Sequence, residues 1–187
     1  MRIISGTNKG MKLYAPEGMS VRPTSDKIKE AIFNMLGYID EESVVLDLFA
    51  GSGGIGIEFL ARGASKCFFV DASHKSLGFV RKNLKLCKFE EKSKIIMNDY
   101  IKSIDNLSNE NIKFDFIFAD PPYALKCGSN IACKVFEKNL LKPDGTLIIE
   151  TDKDEIVIES IDIKSIKYKE KIYGRTRISI LKYSEDK

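Results

Sequence analysis

From residue 43 onward the chain alternates short apolar runs with stretches of helical period. Val44-Val45-Leu46-Asp47-Leu48-Phe49, Lys66-Cys67-Phe68-Phe69-Val70-Asp71, Ile95-Ile96-Met97, Phe114-Asp115-Phe116-Ile117-Phe118-Ala119 and Thr146-Leu147-Ile148-Ile149-Glu150 read as strands. They are near-continuous apolar runs, the mark of parallel strands covered on both faces. Helices are expected at 54–62, 74–87, 100–107 and about 129–140, with Leu77, Val80, Leu84 and Cys87 on the inner face of the second and Ile131, Val135 and Phe136 on that of the last. Pro143-Asp144-Gly145 reads as the turn into the fifth strand. Strand and helix in strict alternation predict an α/β fold, a parallel sheet with right-handed crossovers.

Both ends depart from this rhythm. Arg2-Ile3-Ile4-Ser5 and Met11-Lys12-Leu13-Tyr14 flank Gly6-Thr7-Asn8-Lys9-Gly10 and predict a small β-hairpin over 2–15. Pro16 to Pro23 reads as a linker. Thr24 or Ser25 then caps a helix with Ile28, Ala31, Ile32, Met35 and Leu36 on one face, closed by Gly37. The expected division is an N-terminal hairpin and linker, 1–23, followed by one domain, 24–187. At the other end, alternating strands over 161–173 and 176–183 predict an antiparallel pair at one edge of the sheet, with 184–187 frayed.

Composition narrows the class. The 187 residues are 30% charged and 43% hydrophobic, an ordinary globular balance. A net charge of +3 neither requires nor opposes a nucleic-acid partner. No apolar run reaches membrane-spanning length and Met1-Arg2-Ile3-Ile4-Ser5 opens no signal peptide, so the cytoplasm is the expected location. Cys67, Cys87, Cys127 and Cys133 form no C-x-x-C pair and His74 is the lone histidine, so reduced thiols and no metal are expected. His74 reads as a solvated first-turn residue rather than a catalyst. Nothing in the chain asks for an obligate dimer, and a monomer is expected.

The most informative stretch is Asp120-Pro121-Pro122-Tyr123, directly after the fourth strand. Proline cannot supply ladder N–H groups, so the strand stops and the chain turns rigidly outward. At the carboxyl end of a parallel strand such a turn faces the crevice where open α/β sheets bind ligands. A carboxylate, a stiff run of carbonyls and an aromatic face suit alkylation of an amine on a planar base. The exocyclic amine is a poor nucleophile because its lone pair is delocalised into the ring. Acceptors on its two N–H groups, Asp120 and the carbonyl of Pro121, favour a tetrahedral nitrogen and aim the lone pair. Tyr123, with Pro122 beside it, would stack on the base once the base has left its own stack.

Asp47-Leu48-Phe49-Ala50-Gly51-Ser52-Gly53-Gly54-Ile55-Gly56 formally contains G-x-G-x-x-G, and Asp71 follows Gly51 at about the 20-residue interval of a dinucleotide site. Electrostatics oppose that reading. A pyrophosphate here would meet Asp47, and at 4 Å with an effective dielectric near 20 the repulsion is roughly 4 kcal/mol per charge pair. A cationic ligand without phosphate reverses the sign, and S-adenosylmethionine carries both an ammonium and a sulfonium. Asp71 would take the ribose hydroxyls, and Asp99 in Asn98-Asp99-Tyr100 would accept from the adenine amine unless it caps the following helix. The candidate cofactor residues are Asp47, Phe49, Gly51, Gly53, Asp71 and Asp99. Arg22, in Arg22-Pro23-Thr24 at the entry of the first helix, could contact a carboxylate or phosphate beside the helix N-terminus and could equally pin the linker.

These two motifs resemble those of the seven-stranded, S-adenosylmethionine-dependent amino methyltransferases. Arg2-Ile3-Ile4-Ser5-Gly6, Lys9-Gly10, Lys12-Leu13, Arg22-Pro23-Thr24-Ser25-Asp26, Glu30-Ala31-Ile32-Phe33-Asn34 and Tyr173-Gly174 are more specific. With them the chain is similar to the RsmD-type bacterial enzymes over nearly its whole length. The resemblance implies a mostly parallel, Rossmann-like sheet of order 3-2-1-4-5-7-6 and methylation of a guanine 2-amino group in small-subunit ribosomal RNA or an assembling subunit. It also implies that the Arg22-Pro23-Thr24 region closes the cofactor site and that the hairpin grips RNA, for which Arg2, Lys9 and Lys12 are the basic candidates. Thr7, Asn8 and Met11 stand where this family is expected to carry more basic or aromatic residues. The competing readings are methylation of adenine in DNA or another RNA, methylation of a protein glutamine, and a dinucleotide-binding module without catalysis. Asn rather than Asp at position 120 would match the glutamine enzymes better, and 187 residues leave little room for a DNA-recognition region.

Overall fold

The computed structural model describes residues 1–16, 26–158 and 165–184. In chain order the elements are α1 (Asp26–Leu36), β1 (Val44–Asp47), α2 (Gly54–Ala61), β2 (Lys66–Asp71), α3 (His74–Cys87), β3 (Ser93–Met97), α4 (Tyr100–Asn109), β4 (Phe114–Ala119), α5 (Gly128–Glu137), β5 (Leu141–Asp152), β6 (Ile166–Tyr173) and β7 (Thr176–Tyr183). The seven strands make one sheet in the order β3-β2-β1-β4-β5-β7-β6, as expected. The chain divides into two compact units, Met1–Asn98 and Asp99–Lys187. The boundary expected between residues 23 and 24 lies outside the described residues, as do the caps Thr24 and Ser25 and the first residues of the expected tail strand.

In the first unit β2 pairs in parallel with both β1 and β3. Val45, Leu46 and the run Cys67 to Val70 are buried, as two-sided cover demands. Each large apolar side chain so buried is worth roughly 1.5–3 kcal/mol. Ser73 caps α3 by accepting from the Ser76 N–H, and Lys88 ends it in the left-handed region at φ 59°. The expected N-terminal hairpin reduces to one antiparallel bridge, Arg2 with Lys12, around the turn 5–10. Two facts explain the brevity. Glu58 takes the Ile4 and Ser5 N–H groups at 2.8 and 3.0 Å, and the Thr7 N–H goes to the Ala61 carbonyl at 2.7 Å. The backbone groups that would have extended the ladder thus bond to α2 instead. At Gly6, φ 73°, a Cβ would stand 1.9 Å from the Ala61 oxygen, so only glycine permits this approach.

The helix α1 buries Ile28, Lys29, Ile32 and Phe33, whereas Met35 and Leu36 of the expected face are only half-buried. Lys29 enters the core because its ammonium meets the fully buried Glu58 carboxylate at 2.9 Å and the Arg2 and Gly54 carbonyls at 2.8 and 3.3 Å.

In the second unit β4 runs parallel to β5, and β7 is antiparallel to both β5 and β6. The strand β5 is longer than expected and takes in Pro143-Asp144-Gly145. Phe114 pairs with Leu141 but Phe116 with Thr146, so the expected turn survives as a bulge inside the strand. A Cβ at Gly145 would lie 2.8 Å from the Phe114 oxygen. Among the described residues no helix is long and apolar enough to cross a membrane.

Candidate active site

The loop after β1 is shaped by glycine and held by two carboxylates. Gly51 at φ 54° and Gly53 at φ 85° adopt the left-handed conformation that disfavours side chains. Nothing lies within 4 Å of where a Gly51 Cβ would be, so a ligand can approach the backbone there. Gly56 serves packing instead, since its Cβ would fall 2.4 Å from the Phe69 ring and 2.8 Å from the Cys67 sulfur. Asp71, at the end of β2, accepts the Gly51 N–H at 2.8 Å on Oδ2 and the Ser73 N–H at 2.7 Å on Oδ1. It is half-buried, and its remaining lone pairs suit ribose hydroxyls. Phe49 is half-buried on the same loop.

Asp47 ends β1 almost wholly buried, with Oδ2 accepting the Gly56 N–H at 3.0 Å and Oδ1 without any hydrogen-bond partner. Burial pushes its carboxyl up to about 7, the Gly56 bond opposes the rise, and the Asp71 charge adds to it. A negative group buried under the loop with an unused oxygen fits a cationic ligand and repels a pyrophosphate. The residues of this half-site therefore fit S-adenosylmethionine.

The second motif leaves β4 as expected. Asp120 is half-buried, Pro121 is buried, and Pro122 and Tyr123 are exposed. The Pro122 carbonyl accepts the Leu125 N–H at 2.8 Å, closing a single 3-10 turn over Tyr123–Leu125, and Lys126 at φ 43° ends it. The Tyr123 phenol lies 3.3 Å from the Thr176 hydroxyl at the start of β7. Burial pushes the phenol's pKa above its ordinary value, and the Thr176 bond partly offsets this. The residue is 40% exposed, which leaves room for stacking on its ring.

Asp99 caps α4, accepting the Lys102 N–H at 2.9 Å on Oδ1. That bond lowers its carboxyl below the usual range. The capping role foreseen for it is thus present. Arg22 and Thr24 lie outside the described residues. Of the hairpin cations, Lys9 and Lys12 are exposed, and Arg2 donates to Asp26 at 2.8 Å while staying 60% exposed. His74 is an exposed first-turn residue, and Cys67, Cys87, Cys127 and Cys133 are free thiols.

Three residues escaped the sequence reading. Glu58 gathers Ile4, Ser5, Lys29 and Arg62, the last at 3.0 Å. Asn83, fully buried, binds both backbone groups of Tyr14, at 2.7 and 2.9 Å, and the Ser52 carbonyl of the glycine loop at 2.9 Å. Thr176 orients Tyr123. The first two left a trace, because each is a polar residue inside an apolar helical stripe, Glu58 in GIGIEFLA and Asn83 between Val80 and Cys87. Thr176 left none.

A seven-stranded sheet of this order, with a glycine loop after β1 and an acidic residue ending β2, is the fold of the S-adenosylmethionine-dependent methyltransferases. The chain belongs to the family described as Conserved hypothetical protein 95, whose model matches residues 1–182, and the expected kinship with the RsmD-type enzymes is borne out. It is 38% identical to YlbH of Bacillus subtilis over 97% of this chain and 98% of that one. It is 34% identical to Ribosomal RNA small subunit methyltransferase D of Haemophilus influenzae, over 84% of this chain and 82% of the relative. Among solved structures, a conserved hypothetical protein of Streptococcus pyogenes matches with TM-score 0.75 at 34% identity, covering 83% of this chain and 95% of the other. The SAM dependent methyltransferase from Agrobacterium tumefaciens matches with TM-score 0.63 at 19% identity, over 87% and 63%, and shares the fold.

Proposed function

We propose that this chain methylates the 2-amino group of a guanine in small-subunit ribosomal RNA, using S-adenosylmethionine. The observation that carries the reading is the Asp120-Pro121-Pro122-Tyr123 turn, which ends a buried strand with a half-buried carboxylate, a fixed backbone and an exposed ring. A family that includes a ribosomal RNA small subunit methyltransferase supplies the substrate class.

When bound, S-adenosylmethionine supplies an electrophilic methyl group on a sulfonium, and the C–S bond that breaks leaves its electron pair on a neutral thioether. Asp71 and the backbone of Gly51 and Gly53 bind and orient the ligand, Asp47 balances its positive charge, and Phe49 lines the loop. Asp99 receives the adenine edge beside its helix-capping bond, and Arg22 and Thr24 close the entrance. Asp120 and the Pro121 carbonyl accept the two amine hydrogens and draw the nitrogen lone pair out of conjugation. As the N–C bond forms, the amine becomes acidic, and Asp120 or water takes its proton. Pro122 and Tyr123 hold the extruded base.

The test is transfer of labelled methyl groups to small ribosomal subunits, protein-free small-subunit RNA and genomic DNA, each from cells lacking this protein. Label recovered from either ribosomal substrate as N2-methylguanosine is the expected result. Label confined to DNA, or recovered as methyladenosine, overturns the substrate assignment.

A further inference from the structure

The β6–β7 pair separates its charges by face. Direct cross-strand partners share a face of the sheet, so the register puts Lys167, Lys169, Lys171 and Tyr173 of β6 on one side with Lys182, Ile180, Ile178 and Thr176 of β7. The opposite side carries Tyr168, Glu170 and Ile172 with Leu181, Ser179 and Arg177. There the charges are paired: Arg177 and the Tyr168 phenol both bind the Glu170 carboxylate, and Arg177 also donates to the Lys153 carbonyl at 3.0 Å. The first face holds four exposed lysines and, on these two strands, no acid. The lysines of β6 recur every second residue, about 7 Å apart, comparable to successive phosphates of an extended single strand.

This face leads to the candidate target site. Thr176, which opens β7 on this face, is the residue whose hydroxyl meets Tyr123 at 3.3 Å. Lysine on an edge strand also discourages pairing between copies. Edge protection asks only for charge somewhere on the edge, and it leaves unexplained why the lysines of this pair share the face that holds Tyr123 while Glu170 lies on the other. Next to them on that face β5 places Glu150, buried, and Asp152, bound by Arg175 at 3.1 Å.

We propose that Lys169, Lys171 and Lys182, with Lys167 at the far end, form a track for the phosphate backbone of the RNA strand flanking the base that stacks on Tyr123. This rests on the function proposed above and adds to it a binding surface outside the N-terminal hairpin.

The experiment combines Lys169→Ala, Lys171→Ala and Lys182→Ala in the full chain and measures binding of protein-free small-subunit RNA against salt. Each lost single-strand phosphate contact lowers the log–log salt slope by about 0.7, so a drop of about 2 is expected. KM for the RNA should rise about tenfold or more, with kcat at saturating RNA and S-adenosylmethionine affinity unchanged. Alanine at the exposed Lys85, Lys88 and Lys92 removes the same charge elsewhere and should alter neither slope nor KM. A triple variant with the wild-type slope and KM overturns the track. So does one that aggregates but binds RNA normally per folded molecule, which would assign the lysines to edge protection. A wild-type chain that methylates no ribosomal RNA would instead refute the function, a different result from either.

Discussion

The loop after β1 and the turn after β4 both end buried parallel strands, yet they are made rigid by opposite means. The glycine loop is held from outside by hydrogen bonds: both oxygens of Asp71, one of Asp47 and the amide of Asn83 are bonded to backbone groups of the loop or its neighbours. The Asp-Pro-Pro-Tyr turn is stiff through its own covalent structure, closed by one short turn and the Tyr123–Thr176 contact. The first device tunes a backbone cradle but ties up polar groups. The second fixes direction without N–H donors, and in the function proposed above it leaves the Pro121 carbonyl and the Tyr123 ring to meet the substrate. A cofactor that is always the same suits the first, and a base that must enter and leave suits the second.

The largest effect is expected of Asp120→Ala. Removing an acceptor that acts on the reacting amine should lower kcat by about three orders of magnitude, near 4 kcal/mol. Cofactor affinity, measured by calorimetry, should stay within threefold because the glycine loop is untouched. Turnover within tenfold of wild type would remove Asp120 from the chemistry.

Next in size is Glu58→Gln. It leaves the Lys29 ammonium buried against a neutral amide, and breaking such a pair costs about 3 kcal/mol. Burial already pulls Lys29 below its ordinary value, with the Glu58 charge opposing that shift. Urea unfolding should show the loss directly. An effect under 1 kcal/mol would mean that the anchorage of the N-terminal segment on α2 is not where this unit's stability lies.

Asp47 supplies a pH test of the cradle. Its carboxyl titrates near 7 in the folded chain and near 3.9 when unfolded. Between about pH 4 and 7 the folded state keeps a proton that the unfolded chain releases, so stability without ligand falls as pH rises through this window and levels off above 7. Asp47→Asn removes the titration, and the variant should gain on the wild type by up to about 3 kcal/mol between pH 5 and 8. Its affinity for S-adenosylmethionine should fall, and the increase of wild-type affinity up to pH 7 should vanish. Parallel stability curves for the two proteins would contradict the burial argument.

The same contrast explains what could be read in the sequence. Hydrophobic period gave the order and extent of β2, α3, β4 and β7, because two-sided burial leaves little choice of residue. Motif chemistry located Asp47, Gly51, Gly53, Asp71 and Asp120 at strand ends. The bulge in β5 was missed because Pro143-Asp144-Gly145 has the same local chemistry whether it precedes a strand or interrupts one. The burial of Lys29 depends on Glu58, 29 residues away, and no periodicity carries pair information over that distance. Thr176 is an unremarkable strand residue until the register of β7 brings it to Tyr123.

The smallest effects separate the Tyr123 ring from its hydroxyl. Tyr123→Ala removes the stacking surface, worth about 1–3 kcal/mol for a base on an aromatic ring, and should raise KM for RNA at least fivefold. Tyr123→Phe keeps the ring and deletes only the bond to Thr176, and Thr176→Val deletes the same bond from the other side while keeping the shape of a side chain that is 3% exposed. A neutral hydrogen bond is worth about 1 kcal/mol, so each single variant should cost two- to fivefold in KM for RNA, with kcat little changed. Because both remove one interaction, the double variant should cost no more than either alone. Additive losses would mean that Thr176 and Tyr123 act separately. A harmless Tyr123→Phe beside a harmful Thr176→Val would place the importance of Thr176 in packing at the start of β7, and the target end would then owe its rigidity to proline alone.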